Sequence, residues 1–329
     1  MKKLIWFFLC LVFHSYSQTP GNGVTDIDGN QYNSVIIGTQ EWQKENLNVS
    51  KYSDGTIIPQ VTDPTQWANL TTGAWCYYNN DPVNGVIYGK LYNWFAVAGI
   101  YDSASLTNPT LRKKLAPTGW HIPIDSEWST LINFLDPNAD GGNNYPNTAG
   151  GKMKSIGTLQ AGTGLWQEPN SEATNESGLS GLPAGRRQYI GSFAYIGNFC
   201  DWWSSSENSA FLGNAWHGSL GFNVGNVYLI NNNKVDGFSV RCLNNNLLTN
   251  STFETNSINL YPNPVINILN IKTNENLINQ TFTIIDSLGR VVLNGKLNEV
   301  DASINVEQLA KGIYYLKIST VNAAKFIKD

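Results

Sequence analysis

Only His121 and His217 supply imidazoles outside the first fourteen residues, so histidine chemistry, whether acid–base or metal-binding, would fall to these two. His121 lies between Trp120 and Ile122, where a strand leads into a helix, and that setting suits a structural role. His217 follows Trp216 in a glycine-rich stretch and suits a surface site, yet no nucleophile stands beside it. The chain has no H-E-x-x-H, no G-x-S-x-G, no phosphate-binding P-loop and no dinucleotide glycine pattern. Asp and Glu are scattered, and a glycosidase pair can assemble from distant loops, but the sequence nominates no catalytic residue.

One segment has the alternation of a cation loop. Asp136, Asn138 and Asp140 precede Gly141, like the first half of an EF-hand, for which Ca2+ is the matching ion. Asn147 stands where a bidentate Glu is needed and no following helix is evident, so a solvated turn is the expectation, with no cofactor. Ligand binding has a better candidate in Asp201, Trp202, Trp203, Trp216 and His217, with Ser204 to Ser206 between them. Flat rings stack on sugars, and small polar groups bond to hydroxyls. Neighbours in a strand face opposite ways, so one of Trp202 and Trp203 is expected in the core and the other as a surface platform.

Composition narrows the function classes. Only 14% of the 329 residues are charged, the net charge is −4 and no basic run occurs, which argues against nucleic acid as a partner. Eleven Trp, 15 Tyr and 13 Phe supply ample core. Lys2 and Lys3, the apolar run from Leu4 to Phe13, and Ser15 and Ser17 read as a signal peptide (1–17) cut before Gln18. That run is too short to cross a hydrocarbon layer of about 30 Å, and Cys10 inside it lacks the setting of a lipid anchor. Three later cysteines, Cys76, Cys200 and Cys242, allow one disulfide in any of three pairings.

The elements that position these groups fall into two composition classes. The tryptophans after the leader all lie between Trp42 and Trp216. Residues 18–244 read as a main domain, 245–257 as a polar linker, and 258–329 as a β-rich tail. Asp28-Gly29 marks a hairpin. Leu91, Trp94, Phe95 and Ala98 predict one helix ending at Gly99; Trp128, Leu131, Ile132 and Leu135 predict a second, N-capped by Asp125. From about 150 onward the pattern is short strands, giving an α+β class. In the tail, Pro262 and Pro264 suit a strand's start or edge, Asp286 to Gly289 a hairpin loop, and Tyr314, Leu316 and Ile318 one strand face.

LYPNP, DSLGR, KGIYYLKI and the lysine-bearing end, in that order, resemble the type A C-terminal sorting domain of type IX secretion. The resemblance assigns the sorting signal to Tyr261, Pro262, Asn263, Pro264, Gly289, Arg290, Gly312, Tyr314 and Lys325. It implies an Ig-like β-sandwich, recognition by the type IX translocon and sortase, removal of the tail, and attachment to surface lipopolysaccharide. IIGTQEWQKENLN, GAWCYYNNDPVNG, YGKLYNWFAV, APTGWHIPIDSEW, GLSGLPAGRR, DWWSSSEN and GFSVRC are similar to the Fibrobacter succinogenes major paralogous domain. The end of that domain resembles C-type-lectin-like and formylglycine-generating-enzyme-like folds. Family members often carry cysteines near NDPVNG and before GWH that are missing here. Against that pattern, a Cys200–Cys242 bridge with Cys76 reduced is the expectation. The reading is a secreted or outer-cell-surface protein, not an enzyme, whose main domain binds extracellular glycan or protein in adhesion. A polysaccharide-acting enzyme of unrecognised type and a structural surface-coat protein are the alternatives.

Overall fold

Gly29 has φ 86°, a conformation that costs glycine nothing, and the chain reverses there between Val24–Thr25 and Gln31–Tyr32, which pair antiparallel. The structure is a computed structural model describing residues 18–142, 145–246, 259–272, 280–286, 289–297, 301–318 and 324–329. The expected signal peptide (1–17) and most of the expected linker lie outside the described residues. The chain divides into two compact units, Met1–Leu248 and Thr249–Asp329.

In the first unit, β1 (Ser34–Ile37) and β2 (Gln40–Gln43) form the centre of a five-stranded sheet. Leu243–Asn244 pairs with Trp42 on one side and Trp120–His121 on the other, so the two ends of the unit are stitched together. Short helices follow Asp-led caps. Asp81 accepts from Val83 N to open α1 (Pro82–Tyr88), and Asp63 and Asp102 start Pro64–Ala68 and Ser103–Thr107 in the same way. A side-chain oxygen satisfies an orphan N–H at each start.

The two expected helices fare differently. The second is α2 (Asp125–Leu135), with Trp128, Leu131, Ile132 and Leu135 buried. Its N-cap is Ile124 rather than Asp125, and the Glu127 carboxylate accepts from Ile124 N at 2.9 Å. The first shrinks to Trp94–Val97, because Asn93 Oδ1 caps Ala96 N at 3.0 Å and Gly99 turns the chain at φ 74°. Leu91–Tyr92 instead pairs with Trp75–Cys76.

β3 (Phe199–Glu207), β4 (Asn214–Gly221) and β5 (Val227–Asn233) make an antiparallel three-stranded sheet. One side of β3 sends Trp202 into a cluster with Trp42, Trp128 and Leu131; the other sends Trp203 into a cluster with Tyr92, Trp94 and Phe238. Trp128 bridges Trp42 and Trp202, with ring centroids 4.6 and 5.7 Å away, and so ties the two sheets to α2.

The second unit is all β. β6 (Asn259–Tyr261), β7 (Ile268–Lys272) and β10 (Asp301–Asn305) form one sheet. β8 (Thr281–Asp286), β9 (Val291–Lys296), β11 (Gly312–Ile318) and β12 (Ala324–Lys328) form another, in the order β9-β8-β11-β12. Leu269, Ile271 and Ile304 from the first share one core with Phe282, Ile284, Leu316 and Phe326 from the second. The class is therefore mixed: mostly small sheets with few helices.

Candidate functional site

The aromatic constellation nominated from the sequence is not a surface site. Trp202 and Trp203 do face opposite ways, but both are fully buried, as are Asp201 and His217. The reason is that β3 carries a core on each side. Trp216 alone is only half-buried. Trp202 Nε1 donates to Asn46 Oδ1 and Trp203 Nε1 to Tyr92 O, which anchors both indoles. His217 packs on Trp203 and Phe238; burial first, then Arg186, push its pKa down to about 3, so it is neutral. Asp201 is raised by burial despite Arg186, whose Nη2 lies 2.9 Å from its Oδ2. His121 faces Glu127, with Nε2 2.9 Å from Oε1.

The expected Cys200–Cys242 bridge is absent: Cys76, Cys200 and Cys242 are free and buried. Cys200 sits in the cluster around Trp202 and Cys242 in the one around Trp203. Burial drives all three thiols up, Cys76 to about 12. In the loop at 136–140, Asp136 turns back on its own chain: Oδ1 accepts from Asn138 N at 3.1 Å and Oδ2 from Thr148 N at 2.8 Å. Asp140 opens a tight turn at φ 46°. Among the described residues, no group of three or more His, Cys, Asp or Glu is placed to hold a metal.

A different site emerges around the first hairpin. Two hollows, of about 780 and 480 Å³, share Gln31, Tyr32 and Lys44 in their walls. Asn22 and Asn33 line the larger; Asn30, Asn46, Asn48, Val86, Ile87 and Leu182 line the smaller. Among the described residues, Lys44 and Glu45 are the only charged ones in either wall. The frame is rigid. Buried Asp26 accepts from the Asp28 and Asn30 amides, from Asn30 Nδ2 and from the Tyr32 hydroxyl at 2.6 Å. That hydroxyl accepts from Asn48 N at 2.9 Å. Lys90 Nζ donates to Asn48 O and Oδ1 while lying over the Trp75 ring, and burial lowers its pKa to about 8. On the far wall, Val86 (87% exposed) and Ile87 (43%) project from α1. Sequence reasoning missed this trough because its walls come from residues near 30, 46, 87 and 182, and no motif joins them.

In the second unit the nominated sorting residues fall together at one end. Asn263 Oδ1 accepts from Ile327 N at 2.9 Å, and Val265 N donates to Ile327 O at 2.8 Å. The Tyr261-Pro-Asn-Pro264 stretch is thereby tied to the last strand, two residues from Lys325. Gly289 has φ 80°, Arg290 Nε donates to Asp286 Oδ2 at 2.7 Å, and the Tyr314 hydroxyl donates to Ala310 O at 2.8 Å. Gly312 pairs with Lys328.

These features fit a secreted two-unit protein. Residues 35–244 match the family model of the Fibrobacter succinogenes major domain, more than half of the chain, and the chain belongs to that family. Residues 259–329 match the secretion system C-terminal sorting domain. The protein is thus sent to the cell surface by type IX secretion. No helix among the described residues is long and apolar enough to cross a membrane. A comparison with curated protein sequences gave no match. Among solved structures, the chain is similar to PorZ of Porphyromonas gingivalis, described as an essential bacterial surface component of the type-IX secretion system, at 10% identity and a TM-score of 0.20. The alignment covers 93% of this chain and spans about half (51%) of that one.

Proposed function

We propose that the first unit is a non-catalytic adhesion module that captures a neutral extracellular glycan in the trough along Gln31, Tyr32 and Lys44. The observation that carries this reading is the wall chemistry: carboxamides from Asn22, Asn30, Gln31, Asn33 and Asn48 beside aliphatic Val86, Ile87 and Leu182. A carboxamide both donates and accepts, as a sugar hydroxyl does. Aliphatic side chains cover the C–H face of a pyranose, and low charge avoids desolvating ions. Two joined hollows suit an oligosaccharide better than a monosaccharide. C-type-lectin-like and Ig-like architectures for the two units, a cleaved 1–17 leader, and transfer of the processed protein to lipopolysaccharide belong to the same proposal.

The test is a glycan array followed by calorimetry on the mature chain. Gln31→Ala and Val86→Asp should each weaken the best glycan by about tenfold, which is the loss of one hydrogen bond or contact, with unchanged melting. Absence of any glycan hit, or equal binding by both variants, would sink the trough as the site. Release of reducing sugar from a polysaccharide panel would favour the enzymatic alternative.

A further inference from the structure

The sorting assignment leaves open which surface of the second unit is read. Phe282, Ile284, Tyr314, Leu316 and Phe326 point into the core, so the alternate residues of β8, β11 and β12 point outward. On that outer face, Val291, Ile285, Tyr315 and Lys325 are cross-strand neighbours in one row through all four strands. Toward one end, Ile313 lies opposite Ile327. Toward the other come Asn294, Thr283 and Lys317, then Thr281 opposite Lys296. Val291 is 57% exposed, Ile313 42% and Ile327 38%; Lys296, Lys317 and Lys325 are exposed. These rows contain no carboxylate. A sheet with one wet face normally alternates polar residues outward, whereas this one presents an apolar end grading into a lysine end.

We propose that this outer face is the docking surface for a protein of the export apparatus that offers an apolar patch bordered by carboxylates. Apolar side chains exposed together mark interaction sites, and three like charges in rows that hold no carboxylate among the described residues specify an acidic rim by complementarity. A protein fits better than a bilayer. Lys325 lies beside Ile313 and Ile327 on one face of the same sheet, so sinking the isoleucines among acyl chains would draw Lys325 toward them, at a cost in desolvation.

The test uses the full-length chain in a host with type IX secretion, reading the ratio of surface to periplasmic protein. Two double variants probe the face: Ile313→Lys with Ile327→Lys, and Lys317→Glu with Lys325→Glu. Ile266→Lys with Ile268→Lys, at exposed positions (66% and 43%) outside the four-stranded sheet, serves as the control. Both face variants should lower the ratio at least about tenfold with melting unchanged, while the control exports normally. Normal export of the charge-reversed variant, or an equal block in the control, overturns the proposal. So does lysine-dependent co-sedimentation of the purified protein with phosphatidylglycerol vesicles, which would put a lipid in the partner's place. Removing residues 259–329 separates this outcome from failure of the sorting role itself, since that deletion blocks export whichever face is read.

Discussion

Trp202 and Asn46, 156 positions apart in sequence, meet at 2.9 Å through the indole N–H and the carboxamide oxygen, and Arg241 Nε donates to the same oxygen at 2.8 Å. Asn46 is also part of the trough wall. Core and candidate site are therefore joined by one side chain. Trp202→Phe should cost about 2–4 kcal/mol from the lost bond and the space left behind. Asn46→Leu should cost more, because it strands two buried donors, one of them charged. A double-mutant cycle in urea should show strong coupling; additive losses would mean that the shared oxygen does not link them.

The three thiols provide a simple check on the cores. A buried thiol with a raised pKa is a poor nucleophile, so Cys76, Cys200 and Cys242 should resist Ellman's reagent in the native protein. All three should react in guanidinium without any reductant. A single reactive thiol under those conditions would reveal a disulfide.

Asp236 contributes a pH dependence of defined sign. Burial, opposed by the Tyr189 amide and Arg186, raises its pKa to about 6, above its unfolded value of about 3.9. The folded state therefore holds the proton more tightly. Stability falls as pH rises from 4 to 6, and above that a penalty of at most about 3 kcal/mol persists. Asp236→Asn keeps an acceptor for Tyr189 N and should be the more stable protein at pH 7, with the gap closing toward pH 4. A constant gap across that range would contradict the assignment.

His121 should act in the same sense, over a higher pH range. The Glu127 hydrogen bond, against burial, raises its pKa. Its contribution is complete below about pH 6.5 and disappears as pH climbs through the raised folded value. Glu127→Gln should flatten this limb of the stability profile, as read from melting temperature between pH 5 and 9; an unchanged slope would show that the pair does not matter. The exposure of this pair makes a small effect the expectation.

Truncation after residue 258 should leave the first unit folded and held in the periplasm. Fractionation and immunoblotting would read this, and normal surface display of the truncated chain would contradict the sorting role.

Much of the local structure was legible. Asp28-Gly29 turns, the Trp128, Leu131, Ile132, Leu135 spacing makes α2, and Tyr314, Leu316 and Ile318 share a buried face. Each depends on residues within one turn or one strand, where periodicity maps directly onto geometry. The helix expected through Leu91 failed because Asn93 offered a better cap, and strand pairing with Trp75–Cys76 took the residues ahead of it.

What the sequence by itself determined is the chain's division of labour: an aromatic-rich body, and a β tail whose ordered motifs mark it for export. Tertiary structure alone decided that Trp202 and Trp203 are both interior. Alternation along a strand says which way a side chain points, but not whether another layer covers it, and β3 happens to be covered on both sides. By the same logic the trough exists only once segments more than a hundred residues apart are folded against each other, since no local pattern brings Asn46, Ile87 and Leu182 to one wall.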